Sequence, residues 1–217
     1  MSSSEPAPLV IAVDGPAAAG KGTLARRLAA HYGLRHLDTG ALYRATALRL
    51  LRAGGDPVQE PAAAEAARKV TAADLDDPAL REEDVGQAAS VVATHGAVRE
   101  ALLDYQRSFA AEPPGAVLDG RDIGTVVCPN AQVKLYLEAT AEVRAERRLC
   151  ELRSRGVESI ESSVLEEIIA RDVRDSRRSA APLKPAADAS RIDTTALGPD
   201  KVFEQAVAIV DSRLSST

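Results

Sequence analysis

A glycine-framed loop between an apolar strand and a helix limits this chain more than any other feature. Leu9 to Asp14 (LVIAVD) is a short run rich in β-branched residues, bounded by Gly15-Pro16, and predicts a buried strand. Directly after it come Gly15, Pro16, Ala17, Ala18, Ala19, Gly20, Lys21, Gly22 and Thr23. A helical pattern follows from Thr23 to Tyr32, with Leu24, Leu28 and Tyr32 on one face and Gly33 as the stop. In that setting the loop reads as a phosphate cradle. Its glycines let backbone N–H groups wrap an anion, the helix start adds unsatisfied donors and positive dipole, and Lys21 supplies a mobile charge for the outer phosphates. The strict pattern has Ser or Thr immediately after the lysine; here Gly22 holds that place and Thr23 follows. The usual hydroxyl ligand of Mg²⁺ is therefore absent or displaced, and the metal must rely on phosphates, water and a carboxylate.

The rest of the chain alternates short strands with helices. A strand near Leu34–Leu37 leads through Asp38-Thr39-Gly40 into a helix ending near Arg52, and Gly54-Gly55-Asp56-Pro57 is a break. From Val58 to Ala111 there is no buried-strand pattern, only helical ones at Ala62–Val70 and at Val98, Leu102, Tyr105 and Phe109. Strand patterns resume at Ala116–Leu118 and Val133–Leu137, helices are expected at Ala141–Arg155 and Ser162–Ser176, and Ser190–Asp193 is a possible last strand. Phe203, Ala206, Val207, Val210 and Leu214 stripe a final helix. Strands separated by helices imply βαβ units, hence an α/β fold whose parallel sheet is covered on both faces.

Charge narrows the ligands. A formal net charge of −5 argues against general affinity for nucleic-acid backbones, and only 3% aromatic residues argue against a base-stacking platform. An anionic ligand must then be drawn by local charge. No apolar stretch is long enough to span a bilayer, the start (MSSSEPAP) lacks the pattern of a signal peptide, and two cysteines suggest a reduced compartment, so a cytoplasmic protein with no membrane or nucleic-acid partner is expected. The three histidines have no metal-ligand spacing. Asp119, at the C-terminal end of a predicted strand, is a candidate carboxylate for the phosphates or their metal, with a polar turn as the alternative. Arg121 and Asp122 could simply pair with one another. At about 100° per residue, Arg171, Arg174, Asp175 and Arg178 share one helix face with excess positive charge, suited to phosphates or, alternatively, to solvent. Arg144, Arg147 and Arg148 are interleaved with Glu142, Glu146 and Glu151, which by itself reads as a salt-bridged solvated helix.

The blocks VDGPAAAGKGT, LDTGALYR, QAASVVA with VREALLDYQR, DGRDIGTVVCPNA and RDVRDSRRSAAPLKPAADA resemble the bacterial cytidylate kinase family, of the nucleoside monophosphate kinase group of P-loop kinases. The resemblance implies one domain: a core of residues 9–52, 112–143 and 181–217, a monophosphate-binding insert of residues 53–111, and a helical lid with acceptor-site helices over residues 144–180. It implies transfer of the γ-phosphate of ATP to CMP or dCMP by a monomer, with Mg²⁺ held mainly by phosphates and water and a possible contact from Asp119. Gly15 to Thr23 would hold the ATP phosphates and Asp193, Thr194 and Thr195 would border its base. Lys21, Asp119, Arg144 and Arg148 would be catalytic. Thr39 and Arg44 would face the acceptor phosphate, Ser90, Arg99 and Asp122 the cytosine, Arg171 and Asp175 the pentose, and Arg178 the acceptor nucleotide. Longer family members carry a small antiparallel sheet in the insert; Val70–Val85 here shows no comparable alternation. A P-loop kinase for another small acceptor, or a nucleotide-binding regulator without transfer, remains open at the level of the residues.

Overall fold

The structure is a computed structural model that describes residues 8–215; residues 1–7, which carry most of the polar start, and residues 216–217 lie outside it. Five strands form one parallel sheet: β1 (Leu9–Asp14), β2 (Arg35–Asp38), β3 (Gly115–Gly120), β4 (Val133–Glu138) and β5 (Ser190–Asp193), in the order β2-β3-β1-β4-β5. Alternation along β1 decides which side chain meets which layer. Ile11 and Val13 pack with Leu28 of α1 (Lys21–Tyr32) and Val210 of α8 (Pro199–Leu214). Ala12 faces the other way, with Leu118, toward Leu42 and Leu48 of α2 (Thr39–Arg52) and Leu102 of α5 (Gly96–Ala111). Both faces are covered, as a parallel sheet requires.

Between α2 and β3 the chain stays helical: α3 (Glu60–Arg68), two 3₁₀ turns at Ala72–Asp76 and Pro78–Arg81, α4 (Glu83–Val92) and α5. No strand occurs in this stretch, in agreement with the missing alternation at Val70–Val85. After β4, α6 (Ala141–Ser154) and α7 (Glu161–Arg177) pack on each other through Ala145, Leu149, Val164 and Ile168, with Ala17 of the glycine-framed loop in the same cluster. All five strands run in one sense, so their carboxyl ends share an edge. There β1 closes with Asp14, β2 with Asp38, β3 with Asp119-Gly120, β4 with Glu138 and β5 with Asp193. The loops leaving that edge build the site.

Candidate active site

The glycine-framed loop leaves β1 through Gly15, at φ 147°, where an added Cβ would stand 2.1 Å from the Leu137 carbonyl oxygen; only glycine fits. Ala18 is held at φ 58°, an uncommon conformation for a residue with a side chain, and Gly20 at φ 92° opens α1. The helix begins at Lys21 rather than Thr23, so the amides at the loop's end are those of a helix N-terminus.

Lys21 is not the mobile, exposed charge that the sequence suggested. It is 6% exposed and its ammonium donates to the Pro16 carbonyl at 2.6 Å. Burial, then the Arg121 charge, lowers it to about 7, while Asp119 pulls the other way.

Ala17, Ala18, Gly20 and Lys21 to Thr23 line one cavity of about 740 Å³ together with Thr39, Arg44, Ser90, Arg99, Asp119, Arg121, Asp122, Arg148, Arg171, Asp175 and Arg178. Thr39 donates to the Asp119 carbonyl at 2.8 Å, and Arg44 pairs with Asp38 at 2.7 Å. Arg121 and Asp122 do not pair with each other. β3 ends at Gly120 and the backbone bends through both residues (Asp122 at φ −147°, ψ 26°), which sends the two side chains to different partners. Arg121 reaches Asp175 at 2.8 Å, whereas Asp122 accepts a short charge-assisted hydrogen bond from Arg99 and lies 3.6 Å from Arg178 Nη2. Arg178 caps α7 in an extended conformation (φ −61°, ψ 141°), so it reaches the cavity from just past the helix whose face it was expected to share. Ser90 Oγ accepts from Arg174 at 3.1 Å.

This cluster carries unspent donor capacity. Arg171 Nε and Arg178 Nη2 are buried without a hydrogen-bond partner. Burial, then repulsion from Arg121, lowers Arg171 to about 10. Burial alone would raise the Asp175 carboxyl, but Arg121 and Arg171 outweigh it and hold it low. Cations crowded beside orphaned donors form a ready anion site.

Several expected residues stand back from the cavity lining. Gly15, Pro16 and Ala19 shape the loop without lining it. Arg144 does not line it either: Nη1 and Nη2 bind Asp172 of α7 at 3.0 and 2.6 Å, Nε donates to the Ala139 carbonyl at 2.9 Å, and Nη1 also reaches the Ala17 carbonyl at 3.3 Å. Thr194 is buried, donates to the Ala19 carbonyl at 3.2 Å, and is gripped by Arg147. Asp193 accepts from the Thr195 amide at 2.9 Å, and Thr195 Oγ1 from the Thr140 amide at 3.2 Å. Arg148 lines the cavity but is paired with Glu83 and Glu151.

Two partners of the site were not legible. His36, without metal-ligand spacing, binds Asp119 Oδ1 through Nε2 at 2.7 Å, and Asp14 receives two amides of the segment after Asp122. Asp119 Oδ2 lies on the phosphate-loop side, 3.8 Å from where a Cβ of Gly22 would stand. One such carboxylate, in a cavity that Thr23 also lines, fits a magnesium ion carried in largely by phosphates and water. Among the described residues no group of three His, Cys, Asp or Glu side chains could hold a metal ion alone.

The family model of cytidylate kinase matches residues 11–212. A cytidylate kinase of Xanthobacter autotrophicus is 59% identical over 205 residues, covering 94% of this chain and 98% of the relative. One from Rhodopseudomonas palustris is 55% identical over 204 residues, covering 94% and 96%. Among solved structures, a gluconokinase from Sinorhizobium meliloti superposes with a TM-score of 0.53 at 16% identity, over 96% of this chain and 94% of that one. At that identity the likeness is one of fold.

Proposed function

The chain belongs to the cytidylate kinase family, and from that premise we propose that it transfers the γ-phosphate of ATP to CMP or dCMP through the cavity at the carboxyl edge of its sheet. The observation that carries the assignment of roles is the joining, in one cavity, of a phosphate loop with an arginine–aspartate cluster holding orphaned donors.

The loop amides and Lys21 hold the donor phosphates. Arg44 and Thr39 take the acceptor phosphate, whose second pKa near 6 leaves it largely dianionic at neutral pH and in no need of a strong base. Catalysis is then positioning and charge neutralisation. Mg²⁺, when bound, supplies neutralisation of charge on the donor's β and γ oxygens, with Asp119 and Thr23 the residues placed to hold it through its phosphates and waters. Arg121 and Arg171 neutralise the transferred group, and Arg171 with Asp175 orients the pentose. Arg148 joins them by leaving Glu83 as the lid settles. Arg144 acts at one remove, by fixing the lid helices to the Ala17 carbonyl. Residues 53–111 serve as the acceptor lobe and 144–180 as the lid, whose closure excludes water as a competing acceptor. No helix among the described residues is long and apolar enough to cross a membrane.

Base choice follows from donor and acceptor patterns. Cytosine presents an amino donor at N4 and acceptors at N3 and O2; uracil presents an acceptor at O4 and a donor at N3. Asp122 accepts from N4 and would meet a second acceptor in uracil, a mismatch of about 1–3 kcal/mol, or roughly 5- to 150-fold. Arg99 and Arg178, donors only, suit N3 and O2. Initial rates with CMP, dCMP, UMP and AMP at saturating ATP test this reading. CMP and dCMP should lead, and Asp122→Asn should narrow the CMP:UMP ratio of kcat/KM. Equal use of UMP by the wild type, or an unchanged ratio in the variant, would refute it.

A further inference from the structure

Asp14 closes β1 and precedes the phosphate loop, yet it does not line the cavity and is only 4% exposed. Its two carboxylate oxygens accept hydrogen bonds from the Ile123 amide at 2.8 Å and the Gly124 amide at 2.7 Å. Those amides open the π-helical turn Ile123–Val127 that follows Arg121-Asp122. The turn's internal bonds run from the amides of Val126 and Val127 to the Asp122 carbonyl and from Cys128 to that of Ile123, so its first amides have no partner within it. Asp14 supplies one, as a cap delivered from a strand more than a hundred residues earlier.

The arrangement is costly. No lysine or arginine hydrogen-bonds to Asp14, and burial pushes its carboxyl up to about 6 although the Gly124 and Ile123 amides pull it down. An uncharged residue would be cheaper to bury, so the carboxylate is best explained by what it holds. On the other side a Cβ on Gly124 would press on the Lys134 side chain, 3.1 Å from its Cδ, and would stand in contact with Asp14 Oδ2 at 3.4 Å. In the β1–β3 register Asp14 lies opposite Gly120, immediately before Arg121.

We propose that Asp14 is a positioning residue for acceptor selection: by gripping the Ile123 and Gly124 amides it fixes the angle at which Arg121 and Asp122 enter the cavity, and ties the acceptor-reading loop to the strand that carries the phosphate loop. This rests on the reading of Asp122 given under Proposed function. The Arg121–Asp175 and Asp122–Arg99 pairs each depend on where this loop sits, so a small rotation of the turn is felt at both.

Asp14→Asn tests it, because an amide leaves one oxygen for two N–H groups and faces one of them with its own donor. The expected result is a rise of about tenfold in KM for CMP, roughly the loss of one charge-assisted bond's worth of positioning, with a narrowed CMP:UMP ratio and KM for ATP changed by less than about threefold. Gly124→Ala, which presses the turn against the Lys134 side chain and sets a methyl in contact with the same oxygen without altering charge, should move the acceptor constants in the same direction by less. An equal or larger rise in KM for ATP would overturn the proposal in favour of a role in the phosphate loop, and unchanged constants in folded Asp14→Asn would overturn it outright. Should Asp14→Asn not fold, an unchanged CMP:UMP ratio in Gly124→Ala overturns it instead. Asp122→Asn, run in parallel, separates the two readings. If it narrows the ratio while Asp14→Asn does not, only the role of Asp14 fails; if it leaves the ratio intact, base reading by Asp122 fails and the role of Asp14 with it.

Discussion

Lys21 is buried at the point where its charge is needed, and its proton becomes a reporter of donor binding. Its folded-state value, about 7, lies below the ordinary 10.5, so the neutral amine is the form the empty fold favours. The sign follows: this contribution to stability is present above about 10.5 and is lost as pH falls through about 7. Donor phosphates reverse the preference by pairing with the ammonium. At pH 8, where nucleotide phosphates are already ionised, ATP binding should take up close to one proton, read as a dependence of calorimetric binding heat on buffer ionisation enthalpy. Lys21→Met should abolish that uptake and turnover with no loss of thermal stability at pH 8, because it removes a buried base whose protonation cost is already in force there. Uptake that survives in the variant would place the proton elsewhere. At this scale the glycine-framed loop announces Lys21 but not its burial, while Asp122 is singled out only by the family resemblance and its partners by neither. Asp14 reads as the polar end of an apolar strand, and His36 as a histidine without ligand spacing. Their partners are 109 and 83 residues away and only the sheet register brings them near.

Secondary structure was readable where packing imposes a period. Leu24 and Leu28 on α1, and Ala206 and Val210 on α8, are buried because they fall on the stripe facing the sheet, whereas on α8 Val202 joins them and Leu214, expected in the stripe, is 38% exposed. The helix α4 carries little such signal, since Ala88, Ala89 and Ser90 bury small side chains without a strong apolar stripe. The π-helical turn has no sequence period at all. The charged stretch of α6 was ambiguous for a different reason: its glutamates and arginines satisfy the pattern of a solvated helix, and only the packing of α6 on α7 shows that Arg144 is turned inward, 4% exposed. Arg144→Ala should therefore act first on the lid. It leaves Asp172 and the Ala17 carbonyl without their donor, at a cost of about 1–3 kcal/mol, moderated because the Asp172 side chain remains 29% exposed. In a chain of this size that lowers Tm by roughly 2–12 °C. Arg144→Lys should recover part of the loss. A Tm at the wild-type value in Arg144→Ala, with kcat reduced a hundredfold, would instead make this arginine a direct ligand of the transferred group.

At the level of the whole molecule, alternation of strands and helices is enough to expect a parallel sheet, but not its order, because β1, β3 and β4 are alike apolar runs and none announces its neighbour. The order β2-β3-β1-β4-β5 puts β1 and β3 side by side, and with them the phosphate loop and the Asp119–Asp122 segment. The consequence is electrostatic. A chain with a net charge of −5 concentrates Arg121, Arg171 and Arg178 around one cavity, where Arg171 is lowered to about 10 by burial and by Arg121. An empty site of this kind holds like charges together at the expense of the fold, and a phosphate ligand relieves them. Ligand binding should accordingly appear as stability: at a hundredfold excess over Kd, linkage gives about 2.7 kcal/mol, or roughly 5–11 °C in Tm for a chain of this length. CMP should raise Tm by that order, UMP at the same concentration by distinctly less, and inorganic phosphate least, because it relieves the charge without engaging Asp122 and Arg99. In Arg171→Ala the repulsion is already reduced, so the ligand-free protein should lose little stability while the CMP shift shrinks. Equal shifts from CMP and UMP, or a CMP shift that Arg171→Ala leaves whole, would show that the arginine cluster is not where the acceptor's charge is met.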